Sequence, residues 1–96
     1  MFYVYILRLS NHCLYTGSTN DLKRRMKEHQ SGKSEFTSKF LPLELIHYEA
    51  YKKESDARRR EKYLKTSEGK KALKKQLRDL LKEYEILDLT LTESPG

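Results

Sequence analysis

A single cysteine, Cys13, excludes a disulfide within the chain, and His12, Cys13, His29 and His47 lack the paired spacing that closes a structural zinc site. Any metal ion would therefore be held by oxygen. No apolar run approaches the length needed to cross a bilayer, and the opening MFYVYIL has neither a basic leader nor a small-residue cleavage site, so a cytoplasmic protein with no membrane partner is expected. Internal repeats, low-complexity linkers and a charge break that would separate two domains are also missing. With 96 residues and 36% hydrophobic content, the chain can bury one modest core.

Charge is plentiful and unevenly placed. Of the formal +6, residues 1–50 carry little, residues 51–82 hold thirteen basic against five acidic groups, and residues 83–96 hold four acids and no Lys or Arg. A field concentrated on one segment attracts a polyanion, and a phosphate backbone gains further from counterion release.

Residues 2–9, FYVYILRL, put aromatic and β-branched side chains on both alternating sets up to Arg8, the pattern of a strand covered on both faces. SNH supplies turn chemistry and CLYTGS resumes the strand pattern, which predicts an antiparallel hairpin whose second strand ends at Gly17. Ser18, Thr19 or Asn20 is placed to cap a helix with Leu22, Met26 and His29 on one stripe. Residues 31–41, SGKSEFTSKFL, read as a loop with a helical turn. After Pro42, LELIHYEAY alternates as a third strand. Helical spacing resumes at Glu54, with Ser55 or Asp56 as cap and Ala57, Glu61 and Leu64 along one face. Gly69 is expected to interrupt it before Ala72, Leu73, Gln76, Leu77, Leu80 and Tyr84 define a last amphipathic helix. The tail EILDLTLTESPG fits a short strand or a frayed terminus. The expected fold class is α/β of the α+β type: a small three-stranded antiparallel sheet flanked by helices, in the order ββαβαα. One domain is expected over residues 1–84, with an acidic tail at 85–96.

Short motifs recur along this framework. Tyr3, Val4 and Tyr5 lie in the first strand, Tyr15, Thr16 and Gly17 in the second, and Leu22, Arg25 and His29 follow in LxxRxxxH spacing. Pro42 precedes the third strand, and Glu61 lies within ARRREKYLK. In this order and spacing, over about residues 2–83, the chain resembles the GIY-YIG nuclease family. It is most similar to the small stand-alone members and to the amino-terminal cleavage module of the bacterial nucleotide-excision endonuclease. The first motif lacks the family's glycine. Some family enzymes also use an asparagine downstream of the glutamate, and here none follows Asn20; that contact would come from another group or be absent.

The resemblance implies a catalytic set of Tyr5, Tyr15, Arg25, His29 and Glu61, with Glu61 as ligand to one Mg²⁺ or Mn²⁺. The residue types suit the chemistry. A carboxylate holds a hard cation that keeps most of its waters, and such an ion polarises phosphate and stabilises a leaving oxygen. Arg25 offers a planar fork of donors to phosphate oxygens. His29, one helical turn beyond, is expected to address the same cavity, where it could position water, bind phosphate or relay a proton. Either tyrosine is a candidate general base. A phenol with an unperturbed pKa of about 10 needs a nearby cation for that, or else it only orients water. Gly17 would let the backbone turn tightly and leave room for phosphate.

Arg24, Lys27, Arg58, Lys70, Lys71, Lys74 and Lys75 are the basic residues expected to meet nucleic acid. The leading functional expectation is a metal-dependent nuclease acting on DNA in repair or recombination. The chain is too short to hold an added DNA-binding domain, so sequence specificity would be weak or replaced by recognition of DNA structure. RNA is an alternative polymer. Two other readings are a non-catalytic nucleic-acid-binding module and a protein-interaction domain that associates through Leu73, Leu77, Leu80 and Tyr84.

Overall fold

The computed structural model describes the backbone of residues 1–91 and the side chains of residues 1–85. The chain divides into two compact units, Met1–Tyr63 and the segment beginning at Leu64. No described helix is long and apolar enough to cross a membrane.

In the first unit β1 (Phe2–Arg8), β2 (Leu14–Thr19) and β3 (Glu44–Tyr51) form an antiparallel sheet in the order β2-β1-β3. The most apolar strand takes the centre. Val4, Tyr5, Ile6 and Leu7 of β1 are all buried, so both of its faces are covered, as its two apolar sets require. The β1–β2 turn closes through His12, which adopts a φ of 71° in the left-handed region and donates its N–H to the Leu9 carbonyl at 2.9 Å. Tyr5 pairs with Gly17 and Val4 with Ser18, so β2 continues to Thr19 instead of ending at the glycine.

The β1–β3 register shifts by one residue between Ile6 and Leu7, leaving Ile46 as a bulge: Leu7 faces Leu45, but Ile6 faces His47. The bulge resets the alternation of β3. Leu45 packs against the cluster of Tyr5, Leu7, Leu9 and Met26, whereas His47, Glu49 and Tyr51 share the opposite face with Val4 and Ile6. Helix α1 (Leu22–Gln30) covers the first of these faces with Leu22 and Met26. Its cap is Asp21, whose Oδ1 accepts the Arg24 N–H at 3.0 Å. Ser18 and Thr19 are unavailable for that task because they belong to β2. A 3-10 turn at Thr37–Phe40 is the helical turn expected in the following loop.

Helix α2 (Glu54–Leu64) crosses the second face, with Ala57 and Leu64 buried on the stripe they were expected to share. It begins ahead of Ser55 and Asp56, which therefore lie in its first turn and do not cap it. Two adjacent residues of α2 hold the two outer strands. The Arg60 guanidinium donates to both oxygens of Glu49 on β3, at 2.9 and 3.2 Å, and Glu61 accepts from the Ser18 hydroxyl on β2 at 2.5 Å. Ser18 and Glu49 are the register partners of Val4 on either side.

Glu49 also accepts from His47 Nε2 at 3.0 Å and from the Tyr51 hydroxyl at 2.7 Å. Burial alone would raise its pKa, but these donors and Arg60 outweigh burial and hold the carboxyl at about 2, against an ordinary 4.5. A value depressed by folding stabilises the protein above the unfolded value, and that contribution fades as pH falls from about 4.5 toward about 2. The melting temperature of the wild type should therefore drop across that window. Glu49→Gln should melt lower at neutral pH and lose less on acidification, and parallel curves for the two proteins would remove Glu49 from the acid transition.

The second unit contains α3 (Ser67–Gln76) and α4 (Arg78–Leu91). Thr66 caps α3 by accepting the Gly69 N–H at 3.0 Å, so Gly69 lies inside the first turn and the expected interruption there does not occur. The interruption falls just ahead of that glycine, at residues 65–66 between α2 and α3, and a further break at Leu77 divides the expected last helix in two. Residues 85–91, open between strand and frayed end in the sequence, complete α4. Leu80, Tyr84, Leu87 and Leu91 continue at helical spacing. Residues 92–96 lie outside the described residues.

Candidate active site

The functional candidates converge on the edge strand β2. Tyr5 projects from β1 across Gly17, and a Cβ built on Gly17 would collide with the Tyr5 hydroxyl and lie 2.5 Å from the ring carbon that bears it. The glycine is thus required by a close approach of side chain to backbone, and the tight turn expected of it is made elsewhere. The Tyr5 hydroxyl meets His29 Nε2 at 2.8 Å, and His29 Nδ1 meets the Thr37 hydroxyl at 2.8 Å. His29 and Thr37 are fully buried, so the histidine reaches the site through Tyr5 and does not itself face the cavity. Tyr15 adds its ring edge-on to His29, with centroids 5.7 Å apart.

Arg25 approaches from α1. Its guanidinium lies near enough to the Tyr5 hydroxyl to bear on the charge of the phenol, and it donates to Glu28 Oε1 at 2.9 Å. Its side chain is 30% exposed against 56% for Arg24, so Arg25 turns toward the tyrosine while Arg24 spreads over Asn20, Asp21 and Glu28. Glu61 arrives from the opposite face of the sheet, half-buried, at Ser18 next to Gly17, and its carboxylate is near enough to bear on the charge of the Tyr5 phenol. Five candidates from β1, β2, α1 and α2 thus surround one edge.

Beside them opens a cleft of about 480 Å³ whose lining includes Ser18, Asn20, Arg24, Arg25, Glu28 and Arg58. Each arginine already has a carboxylate neighbour: Arg58 pairs with Glu54 at 3.0 Å, and Arg24 and Arg25 share Glu28. Lys27 is exposed on α1, and Lys70, Lys71, Lys74 and Lys75 are exposed along α3 in the second unit.

Burial raises the Tyr5 pKa above its ordinary value, and Arg25 only partly counters it. Burial, reinforced by Arg25, lowers the pKa of His29. Both shifts favour the neutral forms, so Tyr5 and His29 rest as a neutral hydrogen-bonded pair. Among the described residues no three His, Cys, Asp or Glu side chains cluster as a ready-made metal site. Glu61 brings a carboxylate to Ser18, which lines the cleft together with Glu28 and Glu54, and oxygen donors of this kind suit an ion retaining its waters and do not suit zinc.

Two contributors escape a reading by motif. Thr37 sits between phenylalanines in a loop with no periodicity to point it at His29. Ser18 could have been found, because strand alternation continued past Gly17 sends its side chain to the face that α2 covers.

The profile of the GIY-YIG catalytic domain matches residues 1–76. A UPF0213 protein of Haloquadratum walsbyi is 38% identical over 81 residues, covering 81% of this chain and 91% of that protein. Another, of Clostridium perfringens, is 39% identical over 66 residues, covering 68% and 71% respectively. The solution NMR structure of a UPF0213 protein from Bacillus halodurans is 36% identical, covers 76% of this chain and 82% of its own, and superposes with a TM-score of 0.49. The profile spans every strand, α1 and the helix that carries Glu61, and the chain belongs to the GIY-YIG nuclease family.

Proposed function

We propose that the protein is a metal-dependent nuclease that hydrolyses phosphodiester bonds in DNA, with weak sequence specificity or recognition of DNA structure. The observation that carries this reading is the convergence of Tyr5, Tyr15, Arg25, His29 and Glu61 at one strand edge beside an arginine-lined cleft. Arg25 binds the scissile phosphate, whose oxygens take the place Glu28 now holds on its fork. Burial keeps Tyr5 neutral, so it serves as a fixed hydrogen-bonding group held by His29. Tyr15, half-buried, orients the attacking water with its hydroxyl. Glu61 would hold Mg²⁺ or Mn²⁺, which when bound polarises the phosphate and stabilises the leaving oxygen. Arg24, Lys27 and Arg58, with the lysines of α3, supply backbone contacts that carry no base sequence.

The test is cleavage of nicked, branched, single-stranded and duplex DNA, with RNA counterparts, in Mg²⁺, Mn²⁺ or chelator. Metal-dependent cleavage of DNA is expected. Arg25→Lys keeps the charge and loses the fork, and should slow single-turnover cleavage roughly ten- to hundredfold while Arg24→Lys stays near wild type. Binding without cleavage in either metal would instead identify a non-catalytic module, and equal losses in the two arginine variants would undo the assignment of Arg25.

A further inference from the structure

The loop after α1 carries a feature that phosphate chemistry leaves unused. Phe36 is 55% exposed although it is one of only three phenylalanines in the chain. Its ring stacks on Tyr15 at an interplanar angle of 22° with centroids 5.9 Å apart, and Phe40 braces it at 5.3 Å. Thr37, the next residue, is fully buried and bonded to His29, which fixes the base of the loop. The exposed ring is therefore held in place before any ligand arrives, and it lies one ring away from the histidine that holds the Tyr5 hydroxyl.

We propose that Phe36 is a stacking shelf for an unpaired nucleobase adjacent to the phosphate bound at Arg25, which makes single-stranded or locally unpaired nucleic acid the preferred substrate of the site. The proposal rests on the nuclease reading for the position of that phosphate. A base within a duplex has both π-faces occupied by its neighbours, so only an unpaired or extruded base can lie on the ring. The surroundings suit a nucleotide better than an apolar side chain of a protein partner. Lys33 and Lys39 are exposed on the same loop against one exposed carboxylate, Glu35, and Lys33 is near enough to bear on the charge of Glu28 at the cleft. Stacking of this kind tolerates any base, consistent with the weak sequence preference proposed above.

The experiment measures binding of the full chain to a short single-stranded oligonucleotide and to its duplex, in chelator, so that no cleavage is needed for a result. Phe36→Ala and Phe36→Leu should each weaken single-strand binding about tenfold, Phe36→Tyr should restore it, and duplex affinity should be unmoved. An abasic residue walked along the oligonucleotide should cost the wild type the same factor at one position and cost Phe36→Ala nothing further there. Wild-type affinity in Phe36→Leu, equal losses on single strand and duplex, or a Phe36-dependent change in oligomeric mass without a change in affinity would each overturn the shelf. Cleavage then separates the two readings. A Phe36 effect on binding in a protein inactive with every metal sinks the nuclease and keeps the shelf, whereas active protein indifferent to Phe36 sinks the shelf alone.

Discussion

Glu61→Gln should leave folding and DNA binding intact while reducing metal-dependent cleavage by about 10²–10³-fold, the scale of losing one principal electrostatic partner of a transition state. The amide nearly matches the carboxylate in shape, and its oxygen can still accept from the Ser18 hydroxyl that holds Glu61 against β2. What changes is affinity for a hard cation, for which a neutral amide is a far weaker ligand. Melting temperature and single-turnover cleavage measured on the same preparations check both halves of the expectation. A lowered melting temperature with activity preserved would assign Glu61 a structural task, and full cleavage at saturating Mg²⁺ would remove it from the site.

Gly17→Ala is the substitution expected to cost the most stability for the fewest added atoms. Its new methyl would occupy space already taken by the Tyr5 phenol, and Tyr5 lies in the central strand with 1% of its surface exposed and its hydroxyl tied to His29. Neither ring nor strand can shift freely, so a loss of about 1–3 kcal/mol is expected, as for overpacking in other cores. Each kcal/mol lowers the melting temperature of a domain this size by roughly 4–8 °C. Combining Gly17→Ala with Tyr5→Leu should be less destabilising than the sum of the two single changes, because the colliding phenol is gone. Additive losses would show that the glycine is needed for some other reason.

The sequence made the central strand legible because covering it on two faces demands apolar residues at every position, and β1 meets that demand up to Arg8. The stripe of Leu22, Met26 and His29 was legible for a similar reason, since helical period and burial coincide. What stayed hidden depends on pairings between distant segments. The task of Gly17 follows only from its register with Tyr5, and the histidine's second partner, Thr37, comes from an aperiodic loop. Helix starts were misplaced by small shifts because several polar residues compete at each end, and the hydrogen bonds that favour Asp21 and Thr66 are visible only once the preceding segments are in place. The five members of the candidate site were proposed from motif spacing and the family resemblance it carries; the burial that removes His29 from the cavity was not legible there.

Arg60 and Glu61 point about 100° apart around α2, as neighbours on an α-helix must, and each is fastened to a different outer strand. A helix fastened at one side can roll about its long axis. One fastened at two, on opposite sides of Val4, has lost that freedom, since any roll that shortens one attachment strains the other. The heading of the Glu61 carboxylate is therefore set in part from β3, by an arginine and a glutamate on the far side of the central strand.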